Sequence, residues 1–210
     1  INGGDGSNEH PSQALLDLYT IEKELRGLGR TLDGLRIAMI GDLKHGRTVH
    51  SLCKLLMLFK GVSVQLVSPK ELAMPENLVE DMRSAGLSVA ESEKIESSIS
   101  HVDIVYSTRI QEERFASKDE ADLYRGKFRL NQAIYTSHCE PNTVIMHPLP
   151  RDSRAEANEL DRDLDGNPNL AIFRQTDNGL LVRMALFTMI LDVAHLVDKY
   201  ASEVLWYNHR

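Results

Sequence analysis

Cysteine is scarce in this chain: Cys53 and Cys139 are the only two in 210 residues, and no Cys-x-x-Cys spacing occurs. Neither a disulfide framework nor a cysteine zinc site is supported. A reducing, cytoplasmic compartment is the expectation, with Cys53 as a core residue on an apolar helical face. No apolar run approaches the roughly 20 residues that a membrane-spanning helix needs, so no membrane partner is expected. No charged start followed by an apolar stretch marks a signal peptide. Basic residues are outnumbered, with 24 Lys and Arg against 31 Asp and Glu and a net charge of −7. The chain therefore lacks the bulk positive field that neutralises phosphates, and nucleic acid is not expected as a partner. Internal repeats and low-complexity tracts are missing as well. The sequence opens at Ile1, in the loop-like Ile-Asn-Gly-Gly-Asp-Gly, which reads as the start of the second half of a longer protein; any organelle targeting signal ahead of that point cannot be read from the chain.

The hydrophobic fraction of 42% suffices for a packed core. Apolar residues at helical spacing (Leu15, Leu18, Ile21, Leu25) predict a first helix with one buried face, capped by Ser7 or Asn8, with Pro11 in its first turn and Gly27 and Gly29 at its end. Short apolar runs at 35–40, 63–67, 87–90, 103–107 and 143–146 read as strands. Helical stretches at 47–60, 75–85, 93–99 and 130–137 alternate with them. This βα alternation predicts an α/β fold: a doubly wound parallel sheet flanked by helices. Residues 117–126 are polar and mixed. Residues 151–168 read as an acidic surface loop with some helical turn. The stretch 181–197 predicts a helix apolar on more than one face, which needs cover on several sides.

Three segments follow directly on predicted strands: Gly41 to Thr48 (GDLKHGRT), Thr108 to Gln111 (TRIQ) and His147 to Arg151 (HPLPR). In open parallel sheets ligands bind beyond the carboxyl ends of the strands. The three segments would deliver Arg47, Arg109, Gln111 and His147 to one edge, suited to a small, multiply anionic molecule. Gly41 to Thr48 differs from a P-loop by Arg47 in place of Lys, and nothing else in the chain resembles a nucleotide hydrolase. What survives is a Gly-containing turn running into a helix N-terminus, which favours an anion, beside a guanidinium fork matched to a carboxylate. Lys44, His45 and His50 would add to a locally positive cluster. The competing reading is a tight turn with a solvated Arg. For Arg109 the competing reading is a pairing with Glu112 or Glu113, and Arg114 reads as a structural salt-bridge partner. The two prolines of His147 to Pro150 stiffen a loop able to aim backbone carbonyls, and Leu149–Pro150 is a candidate cis bond. His147 and His10 taken alone read as packed or hydrogen-bonded histidines. Asp161 to Gly166 imitates half a calcium loop, but Ile172 stands where the closing Glu belongs. No metal site is expected.

The order and spacing of these segments resemble the aspartate carbamoyltransferase family. The matching residues are Asn2-Gly-Gly-Asp-Gly, His10-Pro-Ser-Gln13-Ala-Leu-Leu-Asp17, Gly41 to Leu52, Thr108 to Phe115, His147 to Arg151 and Asn178-Gly179. The resemblance implies transfer of a carbamoyl group from carbamoyl phosphate to the amino group of L-aspartate, giving N-carbamoyl-L-aspartate and phosphate in pyrimidine biosynthesis, with no cofactor. It implies that Arg47, Arg109 and Gln111 bind aspartate. His10 would meet the carbamoyl oxygen, and Gln13 with the carbonyls of Pro148 and Leu149 would hold the carbamoyl nitrogen. It further implies a division into a connecting helix (1–30), the aspartate-binding α/β domain (31–178), and a C-terminal helix (179–210) returning to a first domain that carries the phosphate site. Catalytic chains of the family form trimers, with regulatory chains or fused pathway enzymes as further partners. An ornithine-type carbamoyltransferase is the rival, although that relative usually has a Cys where this chain has Pro148. A non-catalytic binding or assembly homologue is the other alternative.

Overall fold

The computed structural model describes residues 1–6, 8–110, 126, 128–152, 154, 158–200 and 202. Gln111, Arg114 and the polar stretch up to residue 125 lie outside the described residues, as do Ser7, 155–157 and 203–210. The described residues form a five-stranded parallel sheet: β1 (Arg36–Ile40), β2 (Ser63–Val67), β3 (Ser88–Ser92), β4 (Ile104–Ser107) and β5 (Val144–Met146). The spatial order is β3-β2-β1-β4-β5. The chain winds outward from β1 to β3, then returns to β1's other side for β4 and β5. The crevice between the carboxyl ends of β1 and β4 is thus the topological switch point, where open α/β sheets bind ligands.

Helices α1 (Pro11–Gly27), α2 (Arg47–Leu56), α3 (Glu76–Ser84), α4 (Ile95–Ser98), α5 (Gln132–His138) and α6 (Ile172–Ile190) flank the sheet, and a short α7 (Val197–Tyr200) without buried residues follows. Two apolar clusters fill its faces. One gathers Ile37, Met39, Leu52, Leu56 and Tyr106 with Ile21 and Leu25 of α1. The other gathers Ala38, Ile40, Val105 and Ile145 with Tyr135, Leu164 and Ile172. β1, β4 and β5 are covered on both faces, so their continuous apolar runs were readable as strands.

Several expectations are corrected. Helix α1 is capped not by Ser7 or Asn8 but by His10, whose side chain accepts from the Gln13 N–H. Of the expected apolar stripe Ile21 and Leu25 are fully buried, while Leu15 and Leu18 are half-buried. Asp17 and Thr20 are fully buried as well, through polar contacts to α6 and β4. Asn178 donates to Thr20 Oγ1 at 3.0 Å, and Arg174 pairs with Glu24 at 2.6 Å. The last long helix begins at Ile172, earlier than its apolar stretch suggested. The acidic 161–166 segment is a 3₁₀ turn at the surface whose carboxylates, although Asp163 and Asp165 are exposed, also serve as structural ties. Asp161 caps the Arg162 N–H, Asp163 accepts from the Gln132 N–H at the start of α5, and Asp165 pairs with Arg151 at 2.7 Å.

Candidate active site

The loops after β1, β4 and β5 meet the start of α1 around a cavity of about 480 Å³. The ends of β1 and β4 approach closely because Gly41 has φ +120°; a Cβ there would lie 2.3 Å from the Thr108 carbonyl oxygen. Gly46 then precedes α2, and a Cβ on it would lie 2.6 Å from the Asp42 carbonyl oxygen. The glycines of the P-loop-like string therefore serve close backbone packing. Arg47 and Thr48, in the first turn of α2, line the cavity, as do Thr108 and Arg109 after β4. His147, Pro148, Leu149 and Pro150 close it from β5, and Gly6, His10 and Gln13 from the N-terminal side. Of the site residues expected from sequence, His10, Gln13, Arg47, Arg109, Pro148 and Leu149 thus share one cavity; Gln111 lies outside the described residues.

The wider basic cluster disperses. His45 turns to the buried Asp42, with its backbone N–H at 2.9 Å and its Nδ1 3.1 Å from Oδ2. The His50 ring meets the Leu43 carbonyl at 2.7 Å. Arg47 alone of these points into the cavity, where its Nη1 donates to the Gly6 carbonyl at 2.9 Å. Gly4 packs against the guanidinium so closely that a Cβ would lie 2.9 Å from Nη1. Arg109 is half-buried at the end of β4, and its charge also acts on Asp152 in the loop after β5.

His10 is held as a neutral donor. Its Nδ1 accepts from the Gln13 N–H at 3.3 Å, so in the neutral ring the proton sits on Nε2. Burial, and then the charges of Arg47 and Arg183, lower its pKa below the usual histidine range. A neutral imidazole with a fixed N–H suits a carbonyl oxygen on which negative charge develops.

The loop after β5 is shaped by side chains. Leu149 sits at φ +58° and the Leu149–Pro150 bond is cis, as its sequence allowed. The Leu149 N–H donates to His147 Nδ1 at 2.8 Å. Nε2 of the same ring lies 2.7 Å from Glu159 Oε1, a close contact without hydrogen-bond alignment. His147 and Glu159 are both buried, and Glu159 also accepts from the Asp152 N–H at 3.3 Å. Glu159 was not singled out by sequence, because it lies in an acidic stretch that reads as solvated.

A second group missed by sequence is Asp17. It is 0% exposed on α1, and burial pushes its carboxyl up to about 6 although Tyr106, Gln175 and Gln13 all donate to it. Its place in the His-Pro-Ser-Gln…Asp string was visible, but not its burial.

A parallel sheet with a cavity at its switch point, lined by two arginines, a histidine and a proline-bearing loop, defines a ligand-binding domain of the open α/β class. The chain belongs to the aspartate/ornithine carbamoyltransferase family: the model of that family's Asp/Orn binding domain matches residues 33–190. Over 208 residues it is 76% identical to the aspartate carbamoyltransferase catalytic subunit of Cellvibrio japonicus, covering 99% of this chain and 62% of that protein. The catalytic subunit of M. jannaschii aspartate transcarbamoylase superposes with a TM-score of 0.80 at 41% identity, covering 93% of this chain and 60% of that one. The Trypanosoma cruzi aspartate transcarbamoylase solved with carbamoyl phosphate and aspartate superposes with a TM-score of 0.77 at 38% identity, over 88% of this chain and 58% of that one. The chain thus spans about three fifths of the length of these relatives.

Proposed function

We propose that this chain supplies the aspartate-binding half of an aspartate carbamoyltransferase. The observation that carries the reading is the convergence of Arg47 and Arg109 from two strand ends on one cavity with His10, Gln13 and the Pro148–Leu149 loop. Two guanidiniums match a dicarboxylate better than ornithine, whose second amine would meet like charge. Identity of 76% to an aspartate-specific catalytic subunit supports the same choice over the ornithine rival.

In this reading Arg47 and Arg109 grip the two carboxylates of aspartate, with help from Gln111. Its amine attacks the carbamoyl carbon of carbamoyl phosphate. The carbamoyl oxygen gains charge as the tetrahedral intermediate forms, and His10 Nε2–H donates to it. Gln13 Oε1 and the carbonyls of Pro148 and Leu149 accept from the carbamoyl N–H₂. The carbon–oxygen bond to phosphate then breaks, and phosphate leaves with the electron pair and takes up the proton that the amine gives up. Most of the rate comes from bringing two anions together in register.

The phosphate-binding groups belong, in this reading, to a first domain preceding residue 1. Helix α6 supports this: one face of its first half is buried (Ile172, Gln175, Asn178), while Leu180, Leu181, Met184, Phe187 and Ile190 beyond it are each 50–61% exposed. So large an apolar face asks for cover. Residues 1–30 would connect the two domains, 31–178 form the aspartate domain, and 179–210 return to the first. A trimer of such catalytic chains belongs to the same proposal. The two free thiols suit a cytoplasmic setting, and among the described residues no single helix is long and apolar enough to cross a membrane. The test is a carbamoyl-aspartate assay on the 210-residue chain with and without the first domain of a close relative. Turnover only in the joined protein supports the reading, and turnover by the chain alone contradicts it.

A further inference from the structure

The carboxylate of Asp17 joins three elements. Its Oδ1 accepts from Nε2 of Gln13, also on α1, at 2.9 Å, and from Nε2 of Gln175 on α6 at 2.6 Å. Its Oδ2 accepts from the Tyr106 hydroxyl on β4 at 2.6 Å. Every one of these partners is neutral. A carboxylate can only accept, so each glutamine must turn its N–H₂ toward Asp17. This settles an orientation that a glutamine amide otherwise leaves open. The opposite end of Gln13, its Oε1, is then the atom left for the cavity that Gln13 lines. The opposite end of Gln175 accepts the His147 N–H at 3.0 Å, at the root of the loop carrying Pro148 and Leu149.

We propose that Asp17 is a positioning residue for the carbamoyl group: it fixes the Gln13 amide with its oxygen toward the cavity and, through Gln175, ties the Pro148–Leu149 loop to the same anchor. This rests on the assignment of Gln13, Pro148 and Leu149 to the carbamoyl group made above. The three acceptors of a carbamoyl N–H₂ are thereby set from one buried point. The charge itself supports a positioning role. Burial holds the carboxyl at about 6, so ionised Asp17 is retained at neutral pH against its own desolvation. A bridge needed only for packing would be served by a neutral side chain.

The test is a double-mutant cycle in the complete enzyme, with this chain joined to its first domain. Asp17→Ala should lower kcat/KM for carbamoyl phosphate by about ten- to hundredfold, as expected for a misplaced reacting group. The KM for aspartate should stay within about twofold, a split that general loosening of the fold would not give. In the Gln13→Ala background the same substitution should cost much less. Equal losses in both backgrounds overturn the inference while leaving the function intact. If Gln13→Ala alone leaves kcat/KM for carbamoyl phosphate unchanged, the assignment of Gln13 fails and takes the inference with it. Should Asp17→Ala not fold, Gln13→Glu provides a second route by setting two carboxylates against each other. Adding Asp17→Asn restores an opposed donor and acceptor, and should recover at least about tenfold of the lost activity. No recovery overturns the proposal.

Discussion

The backbone N–H of Leu149 donates to Nδ1 of His147 at 2.8 Å, so a residue at φ +58° is held by a side chain two positions earlier. The ring is pinned in turn by its contact with Glu159. The loop that carries Pro148 and Leu149 is therefore held by a buried histidine. Replacing His147 with Ala leaves the Leu149 N–H without its acceptor, a cost of about 1–3 kcal/mol. The expected outcome in the complete enzyme is a lower melting temperature and a raised KM for carbamoyl phosphate, with a smaller change for aspartate. Thermal melts and kinetics varying each substrate in turn check this.

Arg47→Lys keeps the charge and should still be damaging. An ammonium on a flexible stem cannot reproduce two parallel N–H groups aimed at one carboxylate, nor the packing of the flat guanidinium on Gly4. The expected result is a rise of at least about tenfold in KM for aspartate, the worth of one charge-assisted hydrogen bond. An unchanged KM would mean that Arg47 acts through charge alone, or not at all.

Asp17 makes stability depend on pH in a direction opposite to most carboxylates. Its folded-state pKa of about 6 lies above the ordinary 3.8, so the folded protein binds the extra proton between those values. Its contribution is then most favourable below pH 3.8 and is lost as pH rises through 6. Asp17→Asn removes that loss. It should stabilise the fold at pH 7.5 by up to about 3 kcal/mol, and by little at pH 4. Denaturant unfolding of both proteins at the two pH values decides this. Equal differences at pH 4 and pH 7.5 would show that the carboxyl titrates normally.

The βα order and the three strand-end segments were legible because β1, β4 and β5 are buried on both faces and read as unbroken apolar runs. Gly41 and Gly46 showed a tight turn, and the two prolines showed a stiff loop. What stayed hidden depends on contacts distant in sequence. Asp17 meets Tyr106 and Gln175, 89 and 158 positions away, and no local pattern shows that this polar residue of α1 is buried. His147 meets Glu159 across an acidic stretch whose composition suggests solvent. The basic cluster after β1 misled for a different, local reason: Asp42 and the Leu43 carbonyl, three and seven residues away, engage His45 and His50.

The central claim is that this half of the enzyme grips aspartate through paired guanidiniums at the switch point. Steady-state kinetics of Arg109→Ala in the complete enzyme, varying aspartate and carbamoyl phosphate separately, test it most directly. Loss of a charge-assisted hydrogen bond, about 1.5–3 kcal/mol, should raise the aspartate requirement roughly ten- to hundredfold and leave that for carbamoyl phosphate nearly unchanged. Equal losses for the two substrates, or a loss confined to carbamoyl phosphate, would contradict the assignment.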